Sequence, residues 1–472
     1  MSGCKGVKRM QYISTRGHSR PLGFADTLLT GLAPDGGLYL PNEWPRLTRE
    51  TLEKLQGSDY GEIVLETLLP FVGEDFSRDE LTRLIQDAYA QFRHPAICPL
   101  IQLAPHLHLL ELFHGPTLAF KDFALQLVGR MFAHILEQRG RRVTIVGATS
   151  GDTGSAAIEA FRGLDSADIF ILYPFGRVSE IQRRQMTVPD DENVHAIAVD
   201  GDFDACQALV KAMFNDEDFR HQYQLGAVNS INWARIVAQA AYYIAAGVTL
   251  GSPDRQVSFV VPTGNFGDIF AGYTAKRMGL PIDRLVVATN QNDILHRFLS
   301  SGHARINAVL PSISPSMDIQ VSSNFERALF EASDRDAGCL RALMEQAQTG
   351  EMMIPGSTLH QLQEVYASGR ASEQQTQDCM AVVLKETEQL VCPHSAVGIH
   401  VARSLRNETS SPLISLATAH PAKFPDAVQA ATGMIPALPT DMQDLFDRKE
   451  RIMRAPDDLR AVQSIIRERC DR

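Results

Sequence analysis

The sequence predicts an α/β protein with two open, mostly parallel sheets flanked by helices, and an N-terminal extension segment ahead of them. Two observations carry this. From about residue 142, short apolar runs alternate with stretches of helical periodicity. The runs are almost continuously apolar, as strands are when a sheet is covered on both faces. They fall at 143–146, 169–172, 194–199, 257–261, 285–288 and 413–417. The spacing predicts helices over 123–138, 154–162, 179–187, 203–214, 231–247 and 268–278.

Residues 1–95 combine a glycine- and proline-rich opening, Gly31 to Pro45, with helical patterns near 48–56 and 61–70. Two long helical stretches, 336–370 and 379–405, interrupt the alternation before it resumes at 413. The tail beyond 437 reads as a charged surface helix. The expected division is 1–95 as an N-terminal segment, 96–140 with 251–472 as a large domain, and 141–250 as a small mobile domain.

A net charge of −11 gives no electrostatic footprint for nucleic acid or an anionic membrane surface. An anionic ligand must therefore be held by local groups. No run of 18 apolar residues predicts a membrane span. The basic start, Met1 to Met10, has no apolar run behind it and does not read as a secretory signal. Seven scattered cysteines, never spaced C-x-x-C, fit a reduced cytoplasmic protein without a metal site. A monomer or weak dimer is expected.

Open α/β sheets bind ligands beyond the carboxyl ends of their strands. The loop after 143–147 reads Ala148-Thr149-Ser150-Gly151-Asp152-Thr153-Gly154. Its glycines allow tight turns, and a helix start exposes N–H groups that suit a carboxylate or phosphate. A plain N-cap with turn glycines would look the same. The loop after 257–261 reads Pro262-Thr263-Gly264-Asn265-Phe266-Gly267-Asp268. It is neither a Walker loop nor G-x-G-x-x-G, which leaves a one-phosphate cradle or a simple turn. The loop after 413–417 opens with Thr418, whose hydroxyl could meet a ring nitrogen or merely end a strand.

A fourth stretch is Phe113-His114-Gly115-Pro116-Thr117-Leu118-Ala119-Phe120-Lys121-Asp122. Lys121 stands among apolar residues at a helix start. Burial lowers an amine's pKa, and a neutral amine is what Schiff-base chemistry needs. A snorkelling lysine paired with Asp122 is the plainer alternative.

At these residues the chain resembles the threonine synthase family. The likeness extends to Tyr12-Ile13-Ser14-Thr15-Arg16-Gly17, Pro34-Asp35-Gly36-Gly37-Leu38-Tyr39-Leu40-Pro41, Met317-Asp318-Ile319 and Ser323-Asn324-Phe325-Glu326-Arg327. The stretch Leu416 to Pro421 follows in family order. The resemblance implies a fold-type II enzyme using pyridoxal 5'-phosphate. It implies Lys121 as the Schiff-base lysine and Gly264, Asn265, Phe266 and Gly267 as the phosphate cradle. Thr418 would face the pyridine nitrogen, and Thr149, Ser150 and Thr153 the substrate carboxylate. Ser323, Asn324 and Arg327 are the candidates for a substrate phosphate, with Arg16 a more distant second.

Two departures from the family pattern stand out. Relatives in this fold often carry asparagine where Asp152 stands, beside the cofactor's phenolic oxygen. A carboxylate there is either protonated or turned away. The segment opening at Cys392 resembles a motif that usually opens with an acidic residue. Residues 1–9 precede the family start and are expected to be disordered.

The implied reaction converts O-phospho-L-homoserine and water to L-threonine and phosphate, a step of amino-acid biosynthesis. A phospho-lyase or dehydratase on the same site stays open as an alternative, as does a non-catalytic relative.

Overall fold

The apolar runs fold as parallel strands because Val, Ile and Leu fill both faces of a covered pleat. The computed structural model describes residues 10–405 and 410–470. The expectation of disorder for 1–9 lies outside the described residues. Five parallel strands form one sheet, in the order Met453–Pro456, Val194–Asp200, Ala167–Pro174, Val143–Ala148 and Leu225–Gly226. Six strands form the other, in the order Tyr366–Arg370, Ile282–Thr289, Val257–Pro262, Leu413–Ala417, Leu107–Glu111 and Leu100–Ala104. All its pairs are parallel except the last, an antiparallel hairpin at the edge. Helices flank both sheets, as expected of this fold class.

Two parts of the expected division need correction. The chain end does not stay with 251–452. Met453–Pro456 pairs with Val194–Asp200, and the helix Leu459–Cys470 buries Val462 and Ile466 in the five-stranded sheet's core. Conversely, the helix Trp233–Thr249 leaves the small unit. It packs on the N-terminal helix Tyr60–Val72, on Lys121–Gln138 and on Gly267–Arg277. Every residue from Trp233 to Val248 is buried, which suits a helix enclosed by three others.

The N-terminal segment is part of the main core. Trp233 meets Tyr12, Phe71 and Trp44 with ring centroids 6.1, 5.8 and 5.9 Å away. The long helical stretches expected over 336–370 and 379–405 are broken. The first contains the helices Ala337–Gln348 and Gly356–Val365 and ends in the sheet-edge strand Tyr366–Arg370. The second divides into Glu373–Thr387 and Pro393–Leu405, separated at Glu388 with φ of +60°. Among the described residues, no helix is long and apolar enough to cross a membrane.

Candidate active site

Four helices begin around one point between the sheets. Lys121–Gln138 starts at Lys121 itself, and Asp152–Phe161 starts at Asp152. The Lys121 Nζ lies 3.6 Å from Asp152 Oδ2. Gly267–Arg277 and Trp233–Thr249 meet at their N-termini, where a Cβ on Gly267 would lie 3.5 Å from Ile236 and 3.6 Å from the Ser230 carbonyl. Helix N-termini carry partial positive charge and unpaired N–H groups. Such ends are local groups able to hold an anion in a chain of net charge −11.

Lys121 is 12% exposed. Burial lowers its pKa, Asp152 opposes that, and Lys423 and Arg235 lower it further. Thr418 sits beside it: its carbonyl accepts from the Phe120 N–H at 2.9 Å, just beyond the strand Leu413–Ala417.

Asp152 faces two lysines. Burial pushes its pKa up, but Lys423 and Lys121 outweigh this and hold it well below the usual carboxylate range. Lys423 Nζ pairs with its Oδ1 at 2.9 Å, and Gln182 Nε2 donates to the same oxygen at 2.9 Å. The sequence reading of this loop stopped two residues before Lys423, at Pro421, and so missed the counter-ion.

In the Thr149–Gly154 loop, Thr149 Oγ1 accepts from the N–H groups of Gly151 and Gly154, at 2.9 and 2.8 Å. Thr149 therefore staples the turn. Ser150 is exposed and Thr153 half-buried at the helix start.

The second loop turns through Phe266 at φ of +63°, a left-handed conformation tolerated because its ring is fixed between Phe325 and Tyr366. Gly264 is required by close approach, since a Cβ there would come 2.5 Å from the Ser316 carbonyl. Gly267 has more room than expected, with Asn324 Nδ2 at 3.3 Å from the same hypothetical atom. Gly264→Val should therefore weaken cofactor binding by about tenfold or more, ~1.4 kcal/mol, while Gly267→Ala changes it less than about threefold. Fluorescence titration of the apoprotein with cofactor measures both.

Ser323, Asn324 and Arg327 divide. Ser323 Oγ donates to Asn265 Oδ1 at 3.3 Å, beside the loop. Asn324 is fully buried, and its Nδ2 bridges the carbonyls of Ser230 and Asn265 at 3.2 and 3.0 Å. Arg327 is corrected outright as a phosphate ligand. It is 0% exposed, donates to the carbonyls of Tyr39 and Ile231, and also binds Asn324 Oδ1. It fastens the N-terminal segment and the 229–232 turn to the core. Arg16 is paired with Glu326 at 3.1 Å. Cys392 is buried, and its Sγ accepts from the Ser395 N–H at 3.4 Å. It thus stands in the capping position of the helix Pro393–Leu405, where an acidic side chain would serve the same end.

Among the described residues, a buried cation left without acceptors on two of its nitrogens is Arg235, which the sequence reading passed over as part of an apolar helix. It is 4% exposed, and its Nε and Nη1 find no hydrogen-bond partner among the described residues. Burial lowers its pKa to about 10. A buried guanidinium without acceptors is costly and marks a place where an anion belongs. A charged residue on a helix otherwise buried throughout was the signal available in the sequence.

Residues 11–89 match the family Threonine synthase N terminus, 98–354 match Pyridoxal-phosphate dependent enzyme, and 395–466 match Threonine synthase, C-terminal. The threonine synthase of Pseudomonas aeruginosa is 49% identical over 465 residues, covering 98% of this chain and 99% of the relative. The chain belongs to the threonine synthase family. A crystal structure of pyridoxal-phosphate-bound threonine synthase from Brucella melitensis superposes with a TM-score of 0.95 at 53% identity, over 98% of this chain and 99% of that one. The yeast enzyme's structure gives 0.93 at 39% identity, over 98% and 99%. The fold-type II architecture, the cofactor pyridoxal 5'-phosphate and the lyase class follow from membership of this family.

The residues on hand fit that cofactor. Lys121 offers an amine with a lowered pKa, and the Gly264–Gly267 turn opens the helix Gly267–Arg277, whose first N–H groups suit a phosphate. Thr418 stands across from the turn at the end of the strand next to Val257–Pro262.

Proposed function

We propose that the chain converts O-phospho-L-homoserine and water to L-threonine and phosphate, with Lys121 as the cofactor's attachment point and proton carrier. The observation that carries this is a buried guanidinium, Arg235, whose Nε and Nη1 have no acceptor among the described residues and whose charge acts on Lys121. A dehydratase acting on unphosphorylated amino acids has no use for that second anion site.

Bound pyridoxal phosphate supplies an electron sink for the pair left when Cα loses its proton. The chain supplies the rest. Gly264, Asn265, Phe266 and Gly267 offer backbone N–H groups to the cofactor phosphate, with Ser323 supporting Asn265. Thr149, Ser150 and Thr153 shape the helix start that takes the substrate carboxylate. Arg235 takes the substrate phosphate and stabilises it as it leaves. Lys121, once released, moves protons between Cα, Cβ and Cγ on one face. Asp152 keeps the ammonium form of that lysine within reach of its partner.

Incubation with O-phospho-L-homoserine, followed by chromatography of the products, tests the reading. Threonine and phosphate in equal amounts are expected. A 2-oxo acid in place of threonine would make the protein a phospho-lyase, and no product would leave a non-catalytic relative.

The five-stranded unit, roughly 143–226 with 453–470, carries the carboxylate loop, while the other sheet carries Lys121 and the cradle. A small substrate must touch both, and its intermediates must be kept from water. The unit is expected to close on binding an unreactive phosphonate analogue, with hinges at Gly140, where φ is +58°, and in 227–232. Crystal structures with and without the analogue check this. An unchanged angle between the two sheets would refute it.

A further inference from the structure

Lys423 belongs to none of the groups assigned to cofactor or substrate, yet its side chain is fully buried. It lies in the turn Pro421–Lys423, after the strand Leu413–Ala417. Its Nζ donates to the Thr117 carbonyl at 2.8 Å and pairs with Asp152 Oδ1 at 2.9 Å. Asp152 Oδ2 lies 3.6 Å from Lys121 Nζ. One carboxylate thus spans two lysines, an oxygen to each. Gln182 Nε2 on Oδ1 at 2.9 Å and Ser316 Oγ on Oδ2 at 3.4 Å fix its rotation. The Thr117 carbonyl anchors Lys423, so it cannot follow the carboxylate elsewhere.

We propose that Lys423 is a positioning residue that limits the negative charge Asp152 presents to the Lys121 nitrogen, and so sets the pH at which that nitrogen gives up its proton in the loaded enzyme. This rests on Lys121 being the attachment point. A carboxylate within about 4–6 Å favours the protonated form of an amine by roughly one to three pH units. Left alone, Asp152 would hold the proton on the nitrogen that has to release it. Lys423 offsets that pull from the carboxylate's far side.

The other charges around Lys121 are accounted for. Arg235 faces it from Trp233–Thr249 and favours proton loss. Asp268, from Gly267–Arg277, accepts hydrogen bonds from Tyr242 and Tyr243, and burial raises its pKa to about 6. Asp122, next in sequence, is bonded to the N–H and hydroxyl of Thr117 and is also raised by burial to about 6. His394, from Pro393–Leu405, has its pKa pushed down to about 4 by burial, and its Nε2 accepts from the Ser316 N–H at 3.1 Å. None of these touches Asp152 Oδ1. A change at Lys423 is therefore read mainly through Asp152.

The test is a pH titration of the bound cofactor's visible absorption in the holoenzyme, with cofactor affinity measured alongside. Lys423→Gln should raise the midpoint by about one unit or more, and Lys423→Arg should leave it within about 0.3 unit of the parent. Asp152→Asn should lower it by about one unit or more, and the double variant D152N/K423Q, which strands no charge, should fall between the two singles. A midpoint for Lys423→Gln within about 0.3 unit of the parent, in a protein of unchanged circular dichroism, overturns the proposal. So does a double variant outside the bracket, a measurement that stands if the single variant fails to fold. Borohydride fixation and peptide mapping separate this from the underlying assignment. Cofactor fixed on another lysine overturns both, whereas fixation on Lys121 with an unmoved midpoint overturns this one alone.

Discussion

Lys121→Ala is expected to lower kcat by at least about 10³-fold while leaving the fold intact. Two roles end together, the covalent hold on the cofactor and the proton transfers on one face of the substrate. The phosphate cradle is built from the separate loop Gly264–Gly267, so cofactor should still bind without a covalent link. The side chain is 12% exposed and sits 3.6 Å from Asp152, which keeps Lys423 as its other partner at 2.9 Å. Removing Lys121 therefore strands no carboxylate, and the melting temperature should move little. Borohydride treatment followed by peptide mapping should fix cofactor on Lys121 in the parent and on no lysine in the variant. Turnover within tenfold of the parent would sink the assignment. A lysine present only for structure would show the reverse pattern, with normal turnover and a lowered melting temperature.

The strands that carry the site were legible because their sequences are self-sufficient. Val257–Pro262 and Leu413–Ala417 are apolar on both faces, so only a covered sheet satisfies them. Tyr366–Arg370 has no such pattern; its sequence, YASGR, becomes a strand only by pairing with Leu285–Thr289. The placement of Met453–Pro456 in the five-stranded sheet is likewise a matter of partners far away in sequence. At the site, loops after strands drew attention to Gly264 and Thr418, because an open sheet gathers those loops at one edge, while the apolar setting of Lys121 drew attention to its amine. The roles of arginines were not legible. Arg327 in a family-like motif and Arg235 in an apolar helix look alike until their surroundings are known. The first has carbonyl acceptors from Tyr39 and Ile231, and the second has none for Nε and Nη1.

Arg235→Met is expected to raise the stability of the free protein while nearly abolishing its chemistry. The parent buries a guanidinium at 4% exposure with two nitrogens unpaired. Burial drives its pKa down to about 10, the direction expected of a guanidinium taken out of water without acceptors. Methionine is unbranched and of similar reach, so it fills the space without the desolvation penalty. Replacing buried ion pairs by well-packed apolar side chains is neutral or stabilises by about 1–4 kcal/mol, and a guanidinium lacking acceptors has less to lose, so the variant's denaturation midpoint should rise. With O-phospho-L-homoserine, kcat/KM should fall by about 10³-fold, ~4 kcal/mol, most of it in KM. Cofactor affinity should stay within about threefold, because the cofactor phosphate belongs to the Gly264–Gly267 turn. Inorganic phosphate should stabilise the parent against heat and leave the variant unmoved. Arg235→Lys should recover little, since a point charge does not reproduce the two-pronged grip of a guanidinium on phosphate. A destabilised variant with an unchanged KM would show that Arg235 holds the fold and not the substrate. A variant that lost cofactor and substrate binding equally would place the cofactor's own phosphate against Arg235.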